Sequence, residues 1–270
     1  MSHLERLPPL VGRVARAGAV LFGLVHLTLF LGAGTTFVDS LLLASLLVAL
    51  PAISIAQLPL ADTTWIERLP AYWSSIGTLG VVGAACWWAG TRVGGPAAVG
   101  LTPIAPWPLV AWSVGLTAAG LGVIVLFRGL SLHFGIGEGP LLRHLLPRSP
   151  REKAVFALLS VTAGACEELA FRGYAIPMLA PALGLPGAVV VTSLAFGVVH
   201  GYQGPLGVLR TGVMGAVLAG GFLAAGSLWP AVLAHALIDL IAGIALGEKL
   251  MPPERGAGVQ EGGHPRSTGT

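Results

Sequence analysis

The sequence predicts an all-α fold: a polytopic membrane helix bundle of about eight transmembrane helices, with both termini cytoplasmic. Three observations predict it. Only 10% of the residues are charged while 54% are hydrophobic, and the mean hydropathy is +0.82. Soluble domains carry about 25% charged residues, so this chain has little with which to cover a water-facing surface. Apolar runs of about 18 residues or more recur along the chain, the length a helix needs to cross a bilayer. The basic residues between those runs sort to one side.

The spans fall at 15–34, 39–59, 74–91, 108–127, 154–179, 183–200, 206–225 and 228–247. The first does not read as a cleaved signal, because its apolar part is long, begins late and has no small-residue cleavage pattern after it. The second contains Pro51 and the fifth ends near Pro177; membrane helices tolerate proline where neighbours re-satisfy the backbone. The seventh repeats small residues every four positions (Gly212, Ala216, Gly220, Ala224), a spacing expected to let another helix approach closely. The longest connection, 128–153, contains Leu141-Leu142-Arg143-His144-Leu145-Leu146. This stretch reads either as a short interfacial amphipathic helix or as an ordinary basic cytoplasmic loop. Residues 1–250 form a single transmembrane domain with a motif-bearing core at 154–247. Residues 251–270, rich in Gly, Pro, Arg and Ser, are expected to be a flexible cytoplasmic tail.

Loop charges orient the bundle. Arg6, Arg13, Arg16, Arg68, Arg128, Arg143, Arg148, Arg151, Lys153, Arg210, Lys249, Arg255 and Arg266 fall on one side if eight spans alternate, and only Arg92 falls on the other. Positive loops stay cytoplasmic, which places both termini inside and requires an even span count. The net charge of +3 forms no basic face with interleaved aromatics, so nucleic acid is not an expected partner. Cys86 and Cys166 lie in apolar stretches, read as small buried hydrophobes, and give no disulfide framework or Cys-based zinc motif.

Charges at bilayer depth cost about 2.5–3.5 kcal/mol or more on insertion scales, so they mark function. Spans one to four have no central charge, whereas span five carries Glu167, Glu168 and Arg172 and span eight carries Asp239. His200 ends span six and His235 lies in span eight. Residues four apart share a helix face, which pairs Glu168 with Arg172, Phe196 with His200, and His235 with Asp239. Glu167 points about 100° away from Glu168 around the helix, free to face spans six and eight. A carboxylate and two imidazoles that converge can bind and deprotonate a water. Taken singly, each has a structural explanation: Glu168–Arg172 as a buried pair fixing helix geometry, His235–Asp239 as a hydrogen bond, His200 as an interfacial side chain. His26 has no partner in the pattern and is assigned no role. The concentration of all of them in three helices is what points to a site. Gly164, Gly173, Gly197 and Gly201 beside it are expected to leave room for a cavity.

The three motifs, Glu167-Glu168-x-x-x-Arg172, Phe196-x-x-x-His200 and His235-x-x-x-Asp239, in that order on membrane spans, resemble the CAAX protease and bacteriocin-processing family, which includes the type II CAAX prenyl endopeptidases. The resemblance covers 154–245. It implies an intramembrane endopeptidase in which Glu167 is the general base, His200 shares its water, His235 and Asp239 stabilise the oxyanion, and Glu168 and Arg172 support the site. Prenyl-protein enzymes of the family carry Asn where this chain has Asp239. An ionised Asp cannot donate to an oxyanion. Asp239 is then protonated, or holds the tautomer of His235, or assists a metal.

Glu167, His200 and His235 also match the three-ligand pattern of catalytic zinc. The usual pair of His one turn apart on one helix is absent, and a Glu167 bound to metal is no free base. No cofactor is therefore favoured, with zinc as the alternative. The expected partners are a membrane-associated peptide or protein substrate and the lipid bilayer, at the cell membrane. Two other classes fit the same residues. A proton-coupled transporter would use buried Glu, Asp and His as a relay, but no inverted repeat is visible. A catalytically silent scaffold or immunity protein would keep the fold without the reaction.

Overall fold

The computed structural model describes residues 9–60 and 66–250. Arg6, Arg255, Arg266 and the expected tail 251–270 lie outside the described residues. Helix makes up 87% of them, and no strand occurs among them. The helices are α1 (Pro9–Gly32), α2 (Phe37–Gln57), α3 (Arg68–Thr91), α4 (Pro106–Phe134) and the short α5 (Pro140–His144), followed by a 50-residue run Pro150–Val199. That run breaks at Gly184, whose φ of 68° and ψ of 161° suit only glycine. Pro186 then opens the next helix, as its fixed φ favours a first turn. The run is thus two helices, α6 (150–183) and α7 (185–199). α8 (Pro205–Ala225) and α9 (Trp229–Leu246) complete the chain.

Six of the described helices are long and apolar enough to cross a membrane by length and composition. That number takes Pro150–Val199 as one and leaves out α3. α3 has 24 residues, about 36 Å of helix at 1.5 Å per residue, but it carries Arg68, Ser74, Ser75 and Thr78.

Local chemistry explains several boundaries. α6 begins in a capping box: Ser149 Oγ accepts from the Glu152 N–H at 3.2 Å, and the Glu152 carboxylate accepts from the Ser149 N–H at 2.8 Å. Glu152 also meets Arg68 at 3.7 Å. Arg68 Nε donates to the His144 carbonyl at 2.7 Å and the Tyr72 hydroxyl to the Leu145 carbonyl at 2.5 Å, so α3, α5 and α6 are fastened together at one end. Two helices widen into π-turns just before a proline, at Ser45–Ala49 before Pro51 and at Leu169–Ala175 before Pro177. Proline lacks an N–H and crowds the carbonyl four residues back; a wider turn relieves both. The second π-turn is the centre of the bundle, with Ala170 to Ala175 all buried.

Two apolar clusters frame that centre. Leu43, Leu46, Cys86, Phe171, Tyr174 and Phe196 join α2, α3, α6 and α7. Leu116, Met214, Leu218, Phe222 and Ile238 join α4, α8 and α9. α1 lies at the edge, against α2. Cys86 is buried and Cys166 half-buried, both free.

The structure corrects several sequence expectations. α4 continues to Phe134, so Arg128 lies two turns inside a helix rather than in a loop. The stretch 141–146 begins in the short helix α5, and its leucines line a cavity. Of the Gly212, Ala216, Gly220, Ala224 stripe, Gly212 packs against α7, while Ala216, Gly220 and Ala224 are exposed and a Cβ on Gly220 would meet nothing within 4 Å. Packing runs through Gly215, Leu218, Ala219 and Phe222, since the sequence offers two small-residue rows and spacing alone does not choose between them. Gly164, Gly173 and Gly197 do not make cavity space either. Cβ atoms there would meet the backbone of Val232 at 2.8 Å, Val99 at 2.7 Å and Val208 at 2.5 Å, so these glycines bring helices together. Asp39, at the start of α2, is a buried charge in the N-terminal half that the reading of spans one to four passed over. It takes an ion pair from Arg92, and its Oδ1 accepts from the Tyr174 hydroxyl at 3.0 Å.

Candidate active site

α6, α7 and α9 bring the motif residues to one place. Glu168, fully buried, is the hub. Its Oε1 accepts from Arg172 Nη1 at 2.9 Å and from His235 Nδ1 at 2.8 Å. Arg172 lies over the Phe196 ring, its Cζ 4.2 Å from the centroid, a cation–π contact in a desolvated setting. Phe196 also touches both imidazoles, with ring centroids 4.7 Å from His200 and 6.0 Å from His235. Gly215 of α8 makes space for this stack: a Cβ there would stand 2.8 Å from Arg172 Nη2.

The two imidazoles are oriented by their Nδ1 atoms. Nδ1 of His200, which caps α7, lies 2.8 Å from the Phe196 carbonyl. A carbonyl or a carboxylate only accepts, so in both His residues Nδ1 carries the proton and donates. Their Nε2 atoms then face Glu167, whose Oε2 lies 3.9 Å from His200 Nε2 and 3.7 Å from His235 Nε2. These separations are too long for direct bonds. Glu167 Oε2 is buried without a hydrogen-bond partner. Glu167 Oε2 and the two Nε2 atoms thus surround one small space, and Glu167 Oε2 with His200 Nε2 offers acceptors that suit a water molecule with its two protons.

Asp239 Oδ2 is 3.7 Å from His235 Nε2. Of the roles open to it from sequence, holding the tautomer of His235 falls away, because Glu168 occupies Nδ1. Among the described residues, no group of three His, Cys, Asp or Glu stands together closely enough to hold a metal ion.

Glu167, His200, His235 and Asp239 all face one cavity of about 810 Å³, which extends between α3, α4 and α5. Its walls are mainly apolar, with Ser54, Gln57, Ser75, Thr78 and Ser160 supplying polar groups. Sequence reasoning had not found Arg128, Glu138 and Arg210, which line the same cavity from α4, the 135–139 loop and α8.

Several helices long and apolar enough to cross a membrane, closed around a buried set of carboxylates and imidazoles, define a multi-pass membrane protein with a polar site at a cavity wall. Residues 149–241 match a protein-family model described as Type II CAAX prenyl endopeptidase Rce1-like, of the CAAX protease and bacteriocin-processing family. That family is one of intramembrane proteases. The match spans α6 to α9 up to Ile241, the helices that carry all three motifs, and does not reach α1 to α5. Searches of curated proteins and of solved structures gave no match.

Proposed function

We propose that the protein is an intramembrane endopeptidase of the cell membrane that hydrolyses a peptide bond of a membrane-associated peptide or protein with a water activated by Glu167 and His200. The observation that carries this reading is the position of Glu167 Oε2, unpartnered and 3.9 and 3.7 Å from two imidazole Nε2 atoms at the cavity wall. In the proposed reaction a water donates one hydrogen bond to Glu167 and one to His200 Nε2. Glu167 takes the first proton as the water oxygen attacks the scissile carbonyl carbon. His235, protonated and with Nδ1–H held by Glu168, donates Nε2–H to the oxyanion of the tetrahedral intermediate. When the C–N bond breaks, Glu167 returns its proton to the leaving amine. The Asp239 carboxylate, facing Nε2 of His235, supports the imidazolium electrostatically and does not itself donate. Arg172 offsets the buried charge of Glu168.

This scheme gives each residue one role and requires no cofactor. With zinc on Glu167, His200 and His235, Glu167 would be a ligand and no longer the base. Glu168, committed to Arg172 and His235, is no substitute for it. Comparing membrane proteomes of cells carrying wild-type and Glu167→Ala protein tests the function. A cleavage product lost in the variant supports it; identical product sets, with both proteins at equal abundance, leave a silent scaffold or a carrier.

A further inference from the structure

The turn that follows His200 carries a phenol whose O–H donates to no group among the described residues. Gly201–Gln203 is a single 3₁₀ turn between α7 and α8, and Tyr202 on it lines the cavity. The Tyr202 and His200 ring centroids are 6.0 Å apart. The phenol is pushed up to about 12, chiefly by burial and in lesser part by the charges of Glu167 and Asp239, with Arg210 opposing them. It therefore keeps its proton at neutral pH and is an uncharged donor within the field of both carboxylates.

A chain of hydrogen bonds sets the direction of that O–H. Arg210 donates Nη1 to Glu138 Oε1 at 2.5 Å and Nη2 to Gln203 Oε1 at 2.9 Å, and the Thr211 hydroxyl donates to the same Gln203 oxygen at 3.1 Å. An arginine on that atom requires it to be the amide oxygen, so the amide nitrogen is the end that faces Tyr202, 3.4 Å from its hydroxyl oxygen. The hydroxyl accepts there, by a long bond, and its own proton turns to the cavity. Donors linked in series polarise one another, which strengthens the last in the chain. The backbone of the turn is fixed as well. The Gly139 N–H donates to the Gln203 carbonyl at 2.9 Å, and a Cβ on Gly139 would stand 2.2 Å from the Tyr202 carbonyl oxygen. A donor held in this way need not reorganise as charge develops in front of it.

The reaction scheme is short of such a donor. His235 Nε2 alone faces the oxyanion in it, because Asp239 as a carboxylate only accepts. We propose that Tyr202 is a catalytic residue whose hydroxyl donates a second hydrogen bond to the oxyanion of the tetrahedral intermediate. This rests on the peptidase reading above. The carbonyl under attack lies against the water between Glu167 and His200, and its oxygen falls in the part of the cavity that His235 and Tyr202 line. No proton is transferred by Tyr202. Its O–H bond stays intact while negative charge builds on the carbonyl oxygen, and the hydrogen bond weakens again when the C–N bond breaks and the carbonyl re-forms. The turn thereby supplies what an amide at position 239 would supply.

Binding of a stable mimic of the tetrahedral intermediate tests it. The full chain in detergent is titrated with a fluorescent apolar tetrapeptide aldehyde, whose hydrate reproduces the tetrahedral centre, and with the matching alcohol, which lacks one of its two oxygens. The wild-type chain is expected to bind the aldehyde more tightly than the alcohol. Tyr202→Phe removes one oxygen that faces the cavity and nothing that joins helices. It should weaken binding of the aldehyde by about ten- to hundredfold, the range of one hydrogen bond to developing charge, and leave the alcohol and the thermal unfolding midpoint unchanged. A Tyr202→Phe chain that binds the aldehyde as tightly as the wild type does, or that loses aldehyde and alcohol alike, overturns the proposal and leaves the peptidase reading standing. Absence of any aldehyde preference in the wild-type chain overturns both. Failure of the peptidase reading thus shows in the wild type, and failure of the role of Tyr202 shows in the variant alone.

Discussion

Glu168 Oε1 joins two groups on different helices, Arg172 Nη1 at 2.9 Å and His235 Nδ1 at 2.8 Å, and so sets the direction in which His235 faces Glu167. Arg172 is 1% exposed, and removing Glu168 leaves its charge buried without compensation. Loss of one partner of a buried pair costs about 3–5 kcal/mol. Glu168→Ala and Arg172→Ala should each destabilise the protein by that order. The double variant should be more stable than the sum of the two effects by about 1–3 kcal/mol. Unfolding of the three variants in detergent measures the coupling, and strict additivity would contradict the shared site.

Glu167 behaves differently because its Oε2 has no hydrogen-bond partner among the described residues. Glu167→Gln keeps the shape and removes the base. Unfolding should shift by no more than about 0.5 kcal/mol, while cleavage of a substrate found by the proteomic comparison falls by about 10²–10⁴-fold. Retained cleavage would assign the base elsewhere.

The positions of the motif residues within each helix were legible in the sequence, because spacing of four residues places Glu168 with Arg172 and Phe196 with His200 whatever the tertiary fold. The helices were legible for the same local reason, to within a few residues at most ends, though six rather than eight of them are long and apolar enough to cross a membrane. What crosses between helices was not. His235 and Asp239 read as a hydrogen-bonded pair, yet Nδ1 of His235 turns to Glu168 on another helix, and Asp239 stays 3.7 Å from Nε2. Asp39 and Arg92, 53 positions apart, look like unrelated loop-edge charges until α2 and α3 are packed beside Tyr174. Arg128 looked like the start of a loop because a charge after a long apolar run is the usual sign of a membrane boundary.

Close packing of α6 on α9 gives a third expectation. A Cβ on Gly164 would lie 2.8 Å from the Val232 carbonyl oxygen and 2.9 Å from the Ala236 nitrogen, both backbone atoms that cannot swing away. Gly164→Ala should therefore cost about 1–3 kcal/mol and lower activity by pushing His235 away from Glu167. Gly220→Ala, at an exposed position with open space, should be neutral or stabilising by up to about 1 kcal/mol. Thermal unfolding and cleavage rates of the two variants decide; equal effects would mean that α6 and α9 are not in close contact.

Orientation in the membrane is a fourth. The basic loops call for an even number of crossings with both ends inside. Six helices are apolar enough on their own, and eight crossings would require the break at Gly184 and the 24-residue α3 each to add one. Alkaline phosphatase fused after Gly100 should be active outside the cell, and a fluorescent protein fused after residue 250 should be bright inside. Reversed signals would invert the topology and place the cavity on the other face.

Metal dependence is the fifth and divides two chemistries that use the same side chains. Zinc bonds His nitrogen and carboxylate oxygen at about 2.0–2.2 Å, so an ion shared by Glu167, His200 and His235 would draw all three inward from separations of 3.7 and 3.9 Å. It would also take the carboxylate that the proposed scheme uses as a base. If water is activated by Glu167 and His200 without a metal, the chelated, metal-stripped protein should cleave at its full rate, and added zinc should leave that rate unchanged or lower it by occupying Glu167. Loss of activity on chelation, restored by stoichiometric zinc and accompanied by one bound zinc per chain in elemental analysis, would replace the glutamate-base mechanism with a metal-bound one. Glu167→Gln separates the cases again. Under the proposed scheme it lowers cleavage by about 10²–10⁴-fold and has no effect on metal content, whereas a ligand role predicts that zinc is lost together with activity.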